Sequence, residues 1–188
     1  MRSYRTVNLN VIWFLIIVNI LVFIVTLVMS EAVFFLGLQP ASFLHRPWTI
    51  VTNLFVHGGF GHILCNMLSL YFLGSFLLRL IGEKKFLMVY FLGGIVGNIF
   101  FIFLAHPFHI AIGASGAVFA LGGALAIMAP KLPVFMFFIP VPVPLWIAII
   151  VFLLISFIPG IAWQAHLGGL FLGLIAGYRF KKKRAYFY

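Results

Sequence analysis

Six long apolar runs, separated by short polar or proline- and glycine-containing segments, dominate the hydrophobic pattern of this chain. The runs lie at about 10–29, 62–81, 86–105, 113–129, 141–158 and 163–179. An α-helix of about 20 residues crosses the hydrocarbon core of a bilayer, and each run is close to that length. The pattern therefore predicts an all-α, polytopic membrane protein, with six transmembrane helices forming a single domain over 1–188.

Composition supports the membrane interpretation. Of the 188 residues, 65% are hydrophobic and only 7% are charged, whereas a soluble domain carries about a quarter charged residues. The chain could not cover itself with polar surface in water. Cys65 is the only cysteine, so an internal disulfide is excluded. The absence of any additional soluble domain favours a prokaryotic plasma membrane protein.

The net charge of +10 is distributed unevenly along the chain. If the N-terminus is cytoplasmic, Arg46 is the only Lys or Arg residue in an outer segment. The others fall on the cytoplasmic side: Arg2, Arg5, Arg79, Lys84, Lys85, Lys131, Arg179, Lys181, Lys182, Lys183 and Arg184. The positive-inside rule predicts this asymmetry, with both termini in the cytoplasm. The basic excess is thus a topology signal that also attracts anionic membrane lipids, and nucleic acid is not an expected partner.

Few strongly polar residues interrupt the predicted helices. They are His62 and Asn66 in the second, Asn98 in the third, Ser115 in the fourth and His166 in the sixth. The second, fourth and sixth helices all begin at the outer face. At a rise of about 1.5 Å per residue, His62, Ser115 and His166 lie within roughly 10 Å of that face, and Asn66 lies one turn below His62. Four polar groups at one depth predict a functional site, whereas Asn98 is expected to serve helix packing.

Small residues indicate which helices approach closely. Residues at every fourth position form one stripe on the sixth helix and another on the fourth, and such stripes let helix backbones come together in lipid. The stripes are Ala165, Gly169, Gly173 and Gly177, and Gly116, Ala120 and Ala124.

The residue types at the common depth point to acyl-transfer chemistry. A serine hydroxyl becomes a nucleophile when a neutral histidine accepts its proton, which assigns Ser115 and His166. The oxyanion that forms needs preorganised donors, each worth roughly 3–4 kcal/mol, and His62 and Asn66 can donate. Ser115 also lies near a helix N-terminus, where backbone N–H groups are unpaired.

No carboxylate is expected in this site. The chain contains no aspartate; Glu31 lies beside the first helix and Glu83 on the opposite side of the membrane. A Ser–His dyad is therefore predicted, and a slow enzyme, because loss of the aspartate's role costs about 10⁴ in rate in soluble triads. Phe119, one turn after Ser115, is expected to hold the His166 ring by stacking.

Three motifs in this order resemble the rhomboid family of intramembrane serine proteases, and the resemblance covers about residues 10–180. HGGFGHILCN at 57–66 is similar to the family's H-x-x-x-N motif with its preceding loop histidine. GASG at 113–116 matches G-x-S-G, and AHLGGLFLG at 165–173 matches A-H-x-x-G-x-x-x-G. Two positions depart from the family pattern: Phe119 stands where many members have tyrosine, and Trp48 is followed by Thr49 rather than arginine.

The resemblance implies a role for each motif residue. Ser115 would be the nucleophile and His166 the general base, while His62, Asn66 and the Ser115 backbone N–H would stabilise the oxyanion. The supporting residues would be Gly113, Gly116, Phe119, His57 and Gly169. The expected substrates are transmembrane segments of membrane-anchored proteins, and residues 141–162 would gate their access.

Other functions are less consistent with the sequence. A metalloprotease of the H-E-x-x-H type lacks its glutamate and second histidine here, and an intramembrane aspartyl protease lacks its aspartates. Neither a metal nor another cofactor is expected. A non-catalytic rhomboid-like membrane chaperone and a transporter remain as alternatives, and the oligomeric state stays open.

Overall fold

Helices make up most of the described chain. The computed structural model describes residues 8–136 and 139–185, without the side chains of 139–140 and 182–185. Arg2 and Arg5, and the side chains of Lys182, Lys183 and Arg184, therefore lie outside the described residues. The main helices are α1 (Asn10–Val28), α2 (Phe60–Ile81), α3 (Glu83–Leu104), α4 (Ser115–Met128), α5 (Leu145–Ile155) and α6 (Trp163–Ala185). A π-helical turn at Leu70–Gly74 interrupts α2.

Three of these helices, α1, α2 and α3, are long and apolar enough to cross a membrane. Helices α4 and α5 are also apolar but shorter, with 14 and 11 residues. Large apolar side chains such as Phe14 and Leu21 of α1 and Phe103 of α3 are more than half exposed. Proteins that fold in water rarely expose so much apolar surface. Together with the length of the apolar helices, this exposure identifies the chain as an integral membrane protein.

The fifth helix departs from the predicted run at 141–158. It begins at Leu145, because Ile139–Pro144 forms a strand, β2, that pairs antiparallel with β1 at Pro133–Met136. Pro142 and Pro144 explain the difference, since proline lacks the N–H of a helical hydrogen bond and disfavours helix in the residue before it. At the other end Pro159 acts in the same way, and α5 stops at Ile155.

The β1–β2 hairpin is an element that the all-α prediction missed. Its register pairs Pro133 with Pro144 and Val134 with Val143, with an irregularity before Met136. The backbone N–H of Leu145 continues the contact by donating to the Leu132 carbonyl at 2.9 Å. The hairpin thus joins the segment after α4 to the first turn of α5.

Small residues bring α4 and α6 into backbone contact. A side chain at Gly169, Gly173 or Gly177 would run into a carbonyl oxygen of α4, at Gly116, Ala120 and Ala124 respectively. Residue numbers rise together along the two helices, so α4 and α6 are parallel. The stripes identified in the sequence therefore face each other.

Helix α3 packs antiparallel against this pair. Gly97 lies against the carbonyl oxygen of Ala165, and Gly93, one turn earlier on α3, lies near Leu172, two turns later on α6. Helix α2 is parallel to α4: the His62 ring contacts Gly113 and the Leu73 side chain approaches Gly122. Consequently α2, α4 and α6 begin at the same end of the bundle.

The segment between α1 and α2 is fixed by side chains that bind backbone carbonyls. A short helix at Ala32–Leu36 leaves its last carbonyls unpaired. Arg46 donates to the Phe34 carbonyl, and Trp48 Nε1 donates to the Phe35 carbonyl at 3.1 Å. The Thr52 hydroxyl donates to the next carbonyl, of Leu36, at 2.7 Å. Although the tryptophan and arginine are not adjacent in the order common in the family, both hold this segment.

Candidate active site

The backbone turns at Gly113 just before Ser115, the first residue of α4. Gly113 has φ +116°, which disfavours any residue with a side chain. A Cβ at this position would also lie 2.6 Å from Nε2 of His62. The Gly113 N–H donates to the carbonyl of Asn53 at 2.9 Å. Glycine therefore lets the His62 ring lie against the turn that carries the serine.

Ser115 and His166 come together across the interface between α4 and α6. The Ser115 Oγ is 2.6 Å from Nε2 of His166, although the residues are 51 positions apart in the chain. His166 is buried, with 7% of its surface exposed. The Phe119 ring stacks on the imidazole, with ring centroids 4.5 Å apart and planes inclined by 20°. Gly116 and Gly169, where the two backbones touch, lie one and three residues beyond these two side chains.

A second hydroxyl reaches the imidazole at its other nitrogen. Ser156, immediately after α5, has its Oγ 2.7 Å from Nδ1 of His166 and 2.8 Å from the Phe152 carbonyl oxygen. Ser156 is not among the predicted site residues, because a serine in an apolar helix commonly bonds its own backbone. Ser156 does make that bond, but it also contacts His166. The only signal in the sequence was its position ten residues before the histidine, across a short turn.

Two further histidines line the turn before Ser115. The Gly58 N–H donates to Nδ1 of His62 at 3.3 Å, so the proton of the neutral ring is on Nε2, the atom that faces Gly113. His57 bonds the Phe55 carbonyl through Nδ1 at 3.3 Å and accepts the Ala114 N–H through Nε2 at 3.5 Å. Burial, reinforced by the neighbouring His62, lowers the pKa of His57 to about 4, so His57 is neutral at pH 7 and its Nε2 remains an acceptor.

Asn66 lies on α2 one turn after His62, as the helical spacing requires. Its amide donates to the His62 carbonyl at 2.9 Å. Within the described part of the chain, no hydrogen bond joins the Asn66 side chain to Ser115 or His166. A side-chain amide carries two N–H donors, so one remains for another acceptor.

A pair of asparagines behind the site was not anticipated as part of it. Asn53 and Asn98 exchange two side-chain hydrogen bonds, at 2.9 and 2.7 Å, and Asn98 also donates to the Ile50 carbonyl at 2.7 Å. Because Gly113 bonds the Asn53 carbonyl, this pair ties the turn before Ser115 to α3. Asn98, predicted to serve packing alone, contributes hydrogen bonds as well.

The described residues contain no cluster of three or more His, Cys, Asp or Glu side chains that could hold a metal ion. The chemistry available at this end of the bundle is that of the Ser115 hydroxyl, the His166 nitrogen that it contacts and several nearby N–H donors. Such a set can transfer an acyl group.

Comparison with known proteins agrees with the motifs. Residues 44–183 match the family model described as the Rhomboid domain. The chain belongs to the rhomboid family. The matched rhomboid region contains α2 to α5, most of α6 and every residue described above as part of the site.

Several curated rhomboid proteins are similar to this chain. Rhomboid protein 1, mitochondrial, of Saccharomyces cerevisiae is 29% identical over 153 residues, covering 71% of this chain and 42% of the relative. Rhomboid protease GluP of Bacillus subtilis is 34% identical over 131 residues, covering 69% and 25%. Rhomboid-like protease 3 of Toxoplasma gondii is 31% identical over 126 residues, covering 62% and 47%. The match thus spans less than half of each relative's length.

Proposed function

We propose that this rhomboid chain is an intramembrane serine endopeptidase that uses Ser115 as nucleophile and His166 as general base. The observation that carries the proposal is the 2.6 Å separation of Ser115 Oγ and His166 Nε2. Two of the similar proteins are named as rhomboid proteases, which supports the same reaction class. The proposed substrates are transmembrane segments of membrane-anchored proteins.

The first step of the proposed reaction forms an acyl-enzyme. As Ser115 Oγ attacks the scissile carbonyl carbon, its proton passes to Nε2 of His166. The carbonyl oxygen becomes an oxyanion, for which His62 Nε2–H and the Ser115 backbone N–H are candidate donors. The second N–H of Asn66 is a further candidate. Protonated His166 then gives its proton to the leaving amine as the C–N bond breaks.

The second step regenerates the enzyme. A water molecule attacks the acyl carbon while His166 Nε2 accepts one of its protons, and the same donors hold the second oxyanion. The C–O bond to Ser115 breaks, and Oγ recovers its proton from His166. No cofactor takes part in this scheme.

We further propose that all six helices cross the membrane, with cytoplasmic termini and the site near the outer face. The shared starting end of α2, α4 and α6 supports this arrangement, as does the clustering of basic residues toward the opposite end. A 14-residue helix spans about 21 Å, less than the roughly 30 Å hydrocarbon core, so α4 would reach full depth only with its flanking segments. The plasma membrane of a prokaryote remains the proposed location, although the relatives include a mitochondrial protein.

A fluorophosphonate probe tests the proposed nucleophile. We expect the detergent-solubilised protein to be labelled, and we expect Ser115→Ala and His166→Ala to lose labelling and substrate cleavage by at least about 10³-fold. Ser69→Ala, which removes a serine of α2 outside the site, is the matched control and should be labelled normally. If the folded wild-type protein is not labelled and cleaves none of a panel of membrane-anchored substrates, the non-catalytic chaperone becomes the better description.

A further inference from the structure

We propose that Ser156 is a positioning residue for His166, fixing which ring nitrogen carries the proton and which one faces Ser115. This inference rests on the proposed function, because it assigns Ser156 a role in preparing the general base. It also extends the predicted dyad by a neutral third member that comes from the end of α5.

Counting protons at Ser156 gives the direction of each bond. The Phe152 carbonyl can only accept, so the bond of 2.8 Å to it uses the single proton of the Ser156 hydroxyl. At 2.7 Å from the imidazole, the same oxygen must then act as acceptor, and Nδ1 of His166 must carry a proton. A neutral imidazole has only one N–H, so Nε2 is unprotonated. It is therefore ready to accept the proton of Ser115.

The Phe119 ring cannot determine which nitrogen of His166 faces Ser115. Phe119 stacks on the face of the imidazole and fixes its plane, but a stacking contact does not distinguish the two nitrogens. Rotation of the ring by half a turn would keep the stacking and exchange the positions of Nδ1 and Cδ2. The hydrogen bond from Nδ1 to Ser156 opposes that rotation.

Burial makes the contact with Ser156 consequential. Ser156 is 2% exposed and His166 is 7% exposed, so the contact between Ser156 Oγ and His166 Nδ1 is buried. Removing the serine hydroxyl would leave the Nδ1–H donor without a partner, a situation that proteins rarely tolerate. Capping α5 would require only the bond to Phe152, so helix termination alone does not explain the approach to His166.

Two measurements on Ser156→Ala test the inference. Histidine-selective ¹⁵N NMR, assigned with His166→Ala, should show Nδ1–H on His166 in the wild type and a mixture of tautomers in the variant. We expect kcat for a membrane-anchored substrate to fall about ten-fold with a smaller change in KM, because the buried Ser156 hydroxyl contacts the Phe152 carbonyl and His166 and is not open to substrate. Ser156→Thr retains the hydroxyl and should restore both the tautomer and most of kcat.

The matched control is Ser75→Ala. Ser75 is also buried, and its hydroxyl has no hydrogen-bond partner among the described residues. Its replacement should leave kcat and the His166 tautomer unchanged. A purely structural role of Ser156 would instead appear as a lower unfolding temperature with the tautomer intact.

The inference is overturned if wild-type His166 carries its proton on Nε2, or if Ser156→Ala retains both the Nδ1–H signal and full kcat. If the alanine variant fails to fold, the wild-type spectrum can still overturn the inference, and Ser156→Thr still tests whether a hydroxyl at this position keeps the proton on Nδ1. Failure of the proposed function is distinguishable, since it would appear as absence of fluorophosphonate labelling in the wild type whatever the tautomer.

Discussion

The two sides of His166 are built differently. On one side, α4 and α6 meet through glycines, with Gly169 and Gly173 directly against carbonyl groups of α4. On the other side, α5 buries only Leu145, Ala148 and Ile149 out of its 11 residues. Ser115 and His166 belong to the first interface, whereas Ser156 reaches the histidine from the second.

The two kinds of contact differ in how far they can rearrange. A backbone-to-backbone contact has no rotamers to change, so the α4–α6 interface fixes the separation of Ser115 and His166, the proposed nucleophile and base. The contacts of α5 are made by side chains, which can repack. On this contrast we propose that residues 141–162 admit substrate, while the backbone contacts between α4 and α6 keep Ser115 and His166 in place.

The most damaging change should fall on the glycine interface. In Gly173→Ala the new methyl group would overlap the backbone carbonyl of Ala120, and α4 and α6 must separate to accept it. We expect the free energy of unfolding in mixed micelles to fall by about 2–3 kcal/mol, with fluorophosphonate labelling reduced in parallel.

The matched control is Gly61→Ala on α2. Nothing lies within 4 Å of a Cβ built at Gly61, so stability should be unchanged or slightly higher because alanine favours helix. Equal stabilities of Gly173→Ala and Gly61→Ala would show that the α4–α6 contact is looser than the structure indicates.

A smaller effect is expected behind the turn that carries Ser115. Asn98→Ala removes a side chain that binds Asn53 and the Ile50 carbonyl, leaving buried polar groups unpaired. We expect a loss of about 1–2 kcal/mol in the free energy of unfolding. Labelling of Ser115 should slow as well, because the Asn53 carbonyl holds Gly113.

A double-mutant cycle with Asn53→Ala isolates the asparagine pair. The double variant should lose less stability than the sum of the two single variants, because the second substitution removes a group that the first has already left unpaired. Additive losses would mean that the two side chains act independently, and that the turn before Ser115 is not held through this pair.

How far the sequence could predict this molecule depends on the kind of information each feature needs. Helical spacing and a count of apolar residues suffice to expect a helix at each main position and to put His62, Ser115 and His166 at the same end. The small-residue stripes also follow from spacing, since Gly169 and Gly173 must share a face. These features follow from helical periodicity and from the length of apolar helix that a bilayer requires.

Other features depend on contacts between distant residues, which periodicity does not encode. Ser156 resembles any serine at a helix end until α5 and α6 are positioned against each other. The Asn53–Asn98 pair joins residues 45 positions apart. The β1–β2 hairpin depends on pairing between Pro133–Met136 and Ile139–Pro144, whereas the apolar run at 141–158 predicts only a helix.

The smallest predicted loss of stability concerns the side-chain contact between α5 and α4. Ile149 touches Gly122 of α4 through its Cδ1 atom and is 9% exposed, whereas the adjacent Ile150 is 50% exposed. Ile149→Val removes that one methyl group, and we expect a loss of about 0.5–1 kcal/mol in the free energy of unfolding. Ile150→Val, the same chemical change on the lipid-facing side, should have no measurable effect. If Ile149→Val were as destabilising as Gly173→Ala, α5 would be held as firmly as α6, and the proposed division between a fixed interface and a movable helix would fail.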